Sequence, residues 1–327
     1  MGAPRQRTWH GPLTACAIAM AALAVVSGIG LVVDERMVLG EGVWLKPFKF
    51  AASFGLYAIT FAWMISMVER WRRTLWWLGT VAVAGFVLPE ISAITFQAVR
   101  GVRSHFNVAT TLDESVFMVM GGAAYLGWAL TLALGIFLVV QRRVDRAMAW
   151  AIPLGVAISL AGMSVGYLMT APTPEQAHAL TGGMELATIG AHTVGALDGG
   201  AGMPLTGWST GAGDLRVAHF VGLHALQVLP LIALWVRRVP LVIVAALGYA
   251  GLTGLLLWQA QRGQALVHPD GTTLFVAGGL VAAVLVAAVA VAGLEQWWLR
   301  GDRRLHGCKR GQRGSSFWCW PRSPVST

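Results

Sequence analysis

The sequence predicts an all-α protein, a polytopic membrane bundle of about eight transmembrane helices with both termini in the cytoplasm, and three observations carry that expectation. The composition is that of a chain dissolved in lipid: of 327 residues 56% are hydrophobic and 12% charged, with a mean hydropathy of +0.64. The apolar residues fall in blocks about 20 long, the length a helix needs to cross about 30 Å of hydrocarbon. Basic residues then mark every second connection between the blocks.

Taken in order, the first span covers 12–33 behind Arg5 and Arg7; its apolar run of about 22 residues is longer than a usual signal-peptide core and no clear small-x-small cleavage site precedes Asp34, so it reads as a retained helix and not as a signal peptide. The second and third cover 48–68 and 75–98, the third interrupted by Pro89 and Glu90. The fourth, 115–140, is preceded by Thr111 and Glu114 at capping-box spacing, and the fifth covers 147–169. Asp214 is placed to cap a helix from Leu215 into the sixth span, 217–236, where Pro230 frees the carbonyl of Leu226 and invites a kink. The seventh and eighth cover 240–258 and 272–294. The connection 170–216 is long enough to be expected as a structured outer cap or partial re-entrant helix. Residues 1–299 form the bundle domain, and 300–327 a basic tail expected to be disordered.

Orientation follows from counting. With the N-terminus inside, the cytoplasmic segments hold 17 of the 24 Lys and Arg residues: Arg5 and Arg7, Arg70 to Arg73, Arg142 to Arg146, Arg237 and Arg238, and the tail. Tryptophans agree, since Trp71, Trp76, Trp77, Trp150, Trp235, Trp297 and Trp298 fall at inner boundaries and Trp44, Trp208 and Trp258 at outer ones. The chain is thus expected in the inner, plasma membrane. Its net charge of +9 reads as orientation signal and attraction to anionic lipid headgroups; positives scattered over short loops do not suit nucleic acid. Oligomeric state is not legible. Cys16, Cys308 and Cys319 lie on the inner side without CxxC or CxxCH, against disulfides, c-type haem and Cys-rich metal sites. Neither P-loop, Rossmann fingerprint nor internal repeat is visible.

Polar residues in unusual places point to the outer half. Six of eight histidines lie there: His105, His178, His192, His219, His224 and His268. On a helix His219, Gln227 and His224 share one polar arc, and His224 lies on the order of 15 Å from the Asp214 cap, inside hydrocarbon depth. Glu90 is the matching oddity of the third span; a carboxylate there costs a few kcal/mol and is expected to be paired inward or to carry a proton. Gln97 is on nearly the same face. His178, Glu185 and His192 recur at sevens, which stacks them if the stretch is helical. Arg100, Arg103 and Arg216 are placed to hold a carboxylate or propionate, or to pair with Asp113, Glu114 or Asp214. Lys46 and Lys49 are expected to snorkel to headgroups, and Met163 and Tyr167 either to line a cavity or to pack.

Two mechanistic readings compete. In one, an outer cavity binds haem or a divalent metal through His105, His192, His219 and His224, with Arg100, Arg103 and Arg216 beside the cofactor and a redox role. In the other, Glu90 titrates on a proton or solute path with His224 and Gln227 as relay, in a proton-coupled permease. A third reading makes the polar cluster helix-to-helix glue in an assembly or sensory component. The stretches RGVRSHFN and GDLRVAHFVGLHALQ, with WLKPFKF upstream, resemble segments of uncharacterised bacterial multi-pass membrane proteins over about a quarter of the chain, a resemblance that implies no activity.

Overall fold

The structure, a computed structural model, describes residues 9–141 and 145–306, with 141 and 295–306 as backbone only. Among them seven helices are long and apolar enough to cross a membrane: Gly11–Val33, Leu45–Ser66, Arg72–Arg100, Thr111–Val140, Arg146–Thr170, Val239–Gln261 and Gly271–Leu294. A pair bent by 44°, Leu215–Leu223 and Ala225–Val236, passes the same test only when taken together, as a broken span or a re-entrant loop, and is numbered here as the sixth span. This is a multi-pass membrane protein. The last helix continues to His306, so the stretch 300–306 expected to open the tail is helical; residues 307–327 lie outside the described residues, as do Arg5, Arg7, Arg142, Arg143, Cys308 and Cys319.

Two spans depart from regular α-helix, each with a local cause. Pro89 cannot donate to the carbonyl one turn back, and the ladder before it widens to a π segment over Ala82–Val87 within the third span. In the sixth span the break falls at His224, six residues before the expected kink at Pro230, which sits inside the helix Ala225–Val236. Neighbouring helices explain the shift. Tyr249 of the seventh span donates to the Val221 carbonyl at 2.6 Å, and Ser159 of the fifth to that of Leu223 at 3.0 Å, so backbone groups freed by the break are paired inside the membrane. The fifth span also comes close enough there to need glycine: a Cβ on Gly162 would lie 2.6 Å from the Gly222 backbone.

Four connections meet on one side and form a cap: 34–44, 101–110, 171–214 and 262–270. The first is a hairpin, Met37–Val38 antiparallel to Glu41–Gly42, whose tip at Gly40 lies against Gly199. The third carries the helix Pro174–Thr181, closed by a capping box from Thr173 and Gln176, and pairs Thr193–Val194 with Gly213–Asp214. That helix stops at Gly182, so the spacing of His178, Glu185 and His192 builds no stacked face. Asp214 caps Leu215–Leu223 as expected, accepting from the Arg216 amide. The fourth span is capped one residue earlier than its capping-box spacing implied: Thr110 accepts from the Asp113 amide and donates to its carboxylate. On the far side, His10 accepts from the Leu13 amide and binds the Trp76 carbonyl, tying first span to third.

The apolar core fills the half away from the cap, around Leu13, Phe61, Met64, Leu75, Leu134, Ile152 and Leu229. The eighth span stands outside it, touching the seventh where Leu280 and Val284 reach over Gly251 and Gly248.

Candidate functional site

Beneath the cap lies a cavity of about 670 Å³, walled by the second to sixth spans and roofed by the loops. It gathers Glu90, Arg103, His105, His192, Arg216 and His219 from four separate stretches of chain. Met163 and Tyr167 also line it. Three other candidates lie elsewhere. Arg100 is bound to Gln97 and Asp113 in a clamp between third and fourth spans, outside the cavity wall. His224 and Gln227 line a second cavity of about 80 Å³ with Tyr57, Thr131 and Ser159, at the break of the sixth span.

Ion pairs close the roof. Glu41 lies 3.2 Å from Lys49 and 3.6 Å from Arg216, and Arg216 holds Asp214 at 2.7 Å. Gly207 permits this arrangement, because a Cβ there would overlap the Glu41 carboxylate. Asp198 is a second hub: it accepts from the amides of His192 and Thr193, from the Thr193 hydroxyl, and from Arg103 at 3.3 Å. Burial works against its charge, yet the His192 and Thr193 hydrogen bonds hold its carboxyl well below the usual carboxylate range.

The imidazoles are electrically quiet. Burial lowers His192 to about 4, the hydrogen bond to Asp198 opposing it, and burial together with the charge of Lys46 pushes His105 well below the ordinary range. Both are neutral at neutral pH. His192 donates from Nδ1 to Asp198 at 3.0 Å and His219 from Nδ1 to the Gly162 carbonyl at 2.8 Å, which leaves Nε2 of each neutral ring as an acceptor. His105 packs among Phe50, Phe106 and Phe117. Among the described residues no three His, Cys, Asp or Glu side chains are placed to hold one metal ion, so the proposed quartet His105, His192, His219 and His224 does not converge; its fourth member belongs to the lower cavity.

Two groups on the wall have no hydrogen-bond partner among the described residues. Glu90 is 4% exposed, and its Oε2 has no hydrogen-bond partner among the described residues. Lys46, the charged group that acts on it, has neither hydrogen bond nor ion pair among the described residues. Headgroup snorkelling was the expectation for Lys46 and Lys49, but both line the cavity, because the second helix begins at Leu45 and carries its first turn under the roof. The signal in the sequence was the spacing of Lys46 and Phe50, four apart on one helical face.

The two cavities share six wall residues: Ser53, Phe54, Phe86, Met163, Phe220 and Leu223. These form the septum between them, with Phe54 and Phe86 edge to face at 5.3 Å. Below it Gln227 donates to Thr60 while its own Oε1 is buried without a partner among the described residues. No protein-family model, curated protein or solved structure matches the chain.

Proposed function

We propose that the protein is a proton-coupled permease that takes a small solute from the outer face of the plasma membrane, with Glu90 as the proton-bearing group. The observation that carries this reading is the septum. Phe86 belongs to the π segment of the third span, and Phe220 and Leu223 to the half-helix that ends at the break of the sixth. Both interrupted spans thus present side chains between an upper and a lower chamber, and interrupted helices are where membrane carriers bind and move. The lower chamber supplies His224 and Gln227 as the next polar partners inward. An unpartnered buried carboxyl in the upper chamber wall is a group whose proton can answer to what occupies the site.

In proteoliposomes loaded with a pH-sensitive dye, a panel of organic solutes is expected to yield at least one that acidifies or alkalinises the lumen on addition. Glu90→Gln should abolish that proton movement. Movement unchanged in Glu90→Gln would remove Glu90 from the mechanism.

A second reading, cofactor binding with a redox role, is favoured by one observation: His192 and His219 each have Nδ1 anchored and Nε2 left as acceptor, the arrangement of imidazoles that ligate a metal or haem. An absorption spectrum decides between them. A Soret band that disappears in His219→Ala and His192→Ala would replace the permease by a haem protein.

A further inference from the structure

The wall of the upper cavity is incomplete on one side, between the fourth and fifth spans. Met118, Gly121, Gly122 and Tyr125 fall on one stripe of the fourth helix and all four line the cavity. A residue lining a closed chamber is largely buried; here Met118 is 69% and Tyr125 64% exposed. A Cβ added at Gly121 or Gly122 would meet nothing within 4 Å, so among the described residues nothing packs directly on the stripe there. Across the gap, Tyr167 of the fifth span has its ring 6.4 Å from that of Tyr125. Tyr125 is sixteen residues from Gln141, on the order of 24 Å along the helix from the opposite end, which puts the gap in the upper hydrocarbon beneath the cap-side headgroups.

What would use such a gap is set by the interior. Three of the basic side chains on the wall are committed, Lys49 to Glu41, Arg103 to Asp198 and Arg216 to Asp214, which leaves Lys46 as the one with neither hydrogen bond nor ion pair among the described residues. Below it the wall turns aromatic and aliphatic, with Phe50, Phe54, Phe86, Phe117, Phe220 and Leu223. A cavity of about 670 Å³ is of the size that encloses one drug-sized molecule.

From this juxtaposition we infer that the cavity opens sideways into the cap-side leaflet and that its ligand is a single-tailed anionic amphiphile dissolved in the membrane. Its acidic head pairs with Lys46, its apolar body lies on the phenylalanine wall, and it passes between Gly121–Gly122 and Tyr167. The inference rests on the reading of this cavity as a solute site and names the class of solute and its route.

The test uses the full-length protein in phosphatidylcholine nanodiscs with cis-parinaric acid, a fluorescent fatty acid, as probe and the protein's tryptophans as energy donors. Saturable transfer is expected, competed by oleate and not by the uncharged oleyl alcohol. Lys46→Gln should weaken binding about tenfold or more, the loss of a charged contact in an apolar site, and Lys46→Arg should restore most of it. Gly122→Trp should slow loading from the membrane while Gly122→Ala leaves it unchanged, which separates a blocked gap from a damaged fold. Transfer no greater than in protein-free discs overturns the inference, and so does competition by water-soluble benzoate with oleate inert. Parinarate binding without proton movement in the liposome assay overturns the permease alone; proton-coupled uptake of benzoate without parinarate binding overturns the lateral route alone.

Discussion

Asp198 shows how one carboxylate can organise a wall. Its oxygens orient His192, hold the turn at Thr193 and neutralise Arg103, so the roof of the cavity depends on its staying charged and on His192 staying neutral. Both conditions fail in acid. The His192 imidazole has its folded value lowered to about 4 from 6.5, chiefly by burial, with the charges of Arg216 and Lys46 adding to it against Asp198. As pH falls through about 6.5 the opened segment therefore gains protons that the closed one refuses, and the cap loses stability down to about pH 4. Asp198 adds the same sign further down, because stability from a carboxyl held below its usual range is lost as pH falls through that range. Amide hydrogen exchange should accelerate across 190–200 between pH 7 and pH 4, after correction for intrinsic rates, while the buried spans stay protected. Equal protection at both values would contradict a neutral, buried His192. At this scale the sequence betrayed Glu90, His105, His192 and His219 because polar groups in apolar runs or a histidine-rich stretch demand a reason. Asp198 and Glu41 were invisible, since a loop has no periodicity to say which acid turns inward.

The elements show why proline was a good alarm and a poor locator. Pro89 marks the disturbed third span, but the disturbance spreads upstream as Ala82–Val87; Pro230 marks the sixth, but the break is where Tyr249 and Ser159 offer donors to stray carbonyls. That choice is tertiary, made by residues on the fifth and seventh helices, and no window along the sixth contains it. Tyr249→Phe removes one donor from a buried carbonyl and is expected to cost about 1–3 kcal/mol, read from reversible unfolding in mixed micelles. Gly162→Leu should cost more, several kcal/mol or failure to fold, because the fifth span would have to retreat from the Gly222 backbone. If Gly162→Leu proved as stable as the parent, the close approach of fifth and sixth spans would be wrong.

The whole molecule is two-sided: charged loops interlocked over a cavity at one end, a packed apolar core towards the other. A multi-pass helical bundle with its unusual polar residues gathered at one end was legible because hydrocarbon thickness fixes helix length and because loops alternate sides. How the four cap-side loops join was not, since their contacts, such as Gly40 on Gly199 and His268 on the Thr210 carbonyl, link positions far apart in sequence. The expected orientation has a direct test. In a background without native cysteines, Leu197→Cys, 91% exposed in the cap, should react with an impermeant maleimide on intact cells, and Arg238→Cys only after permeabilisation; the reverse would turn the molecule over. The chain order of the cavity has one more consequence. Its wall residues run from Val38 to Leu223, so every one of them has been synthesised before the last two spans begin. A nascent chain can therefore close the chamber while still tethered to the ribosome, and the late arrival of Tyr249 then bolts the broken sixth helix in place from outside.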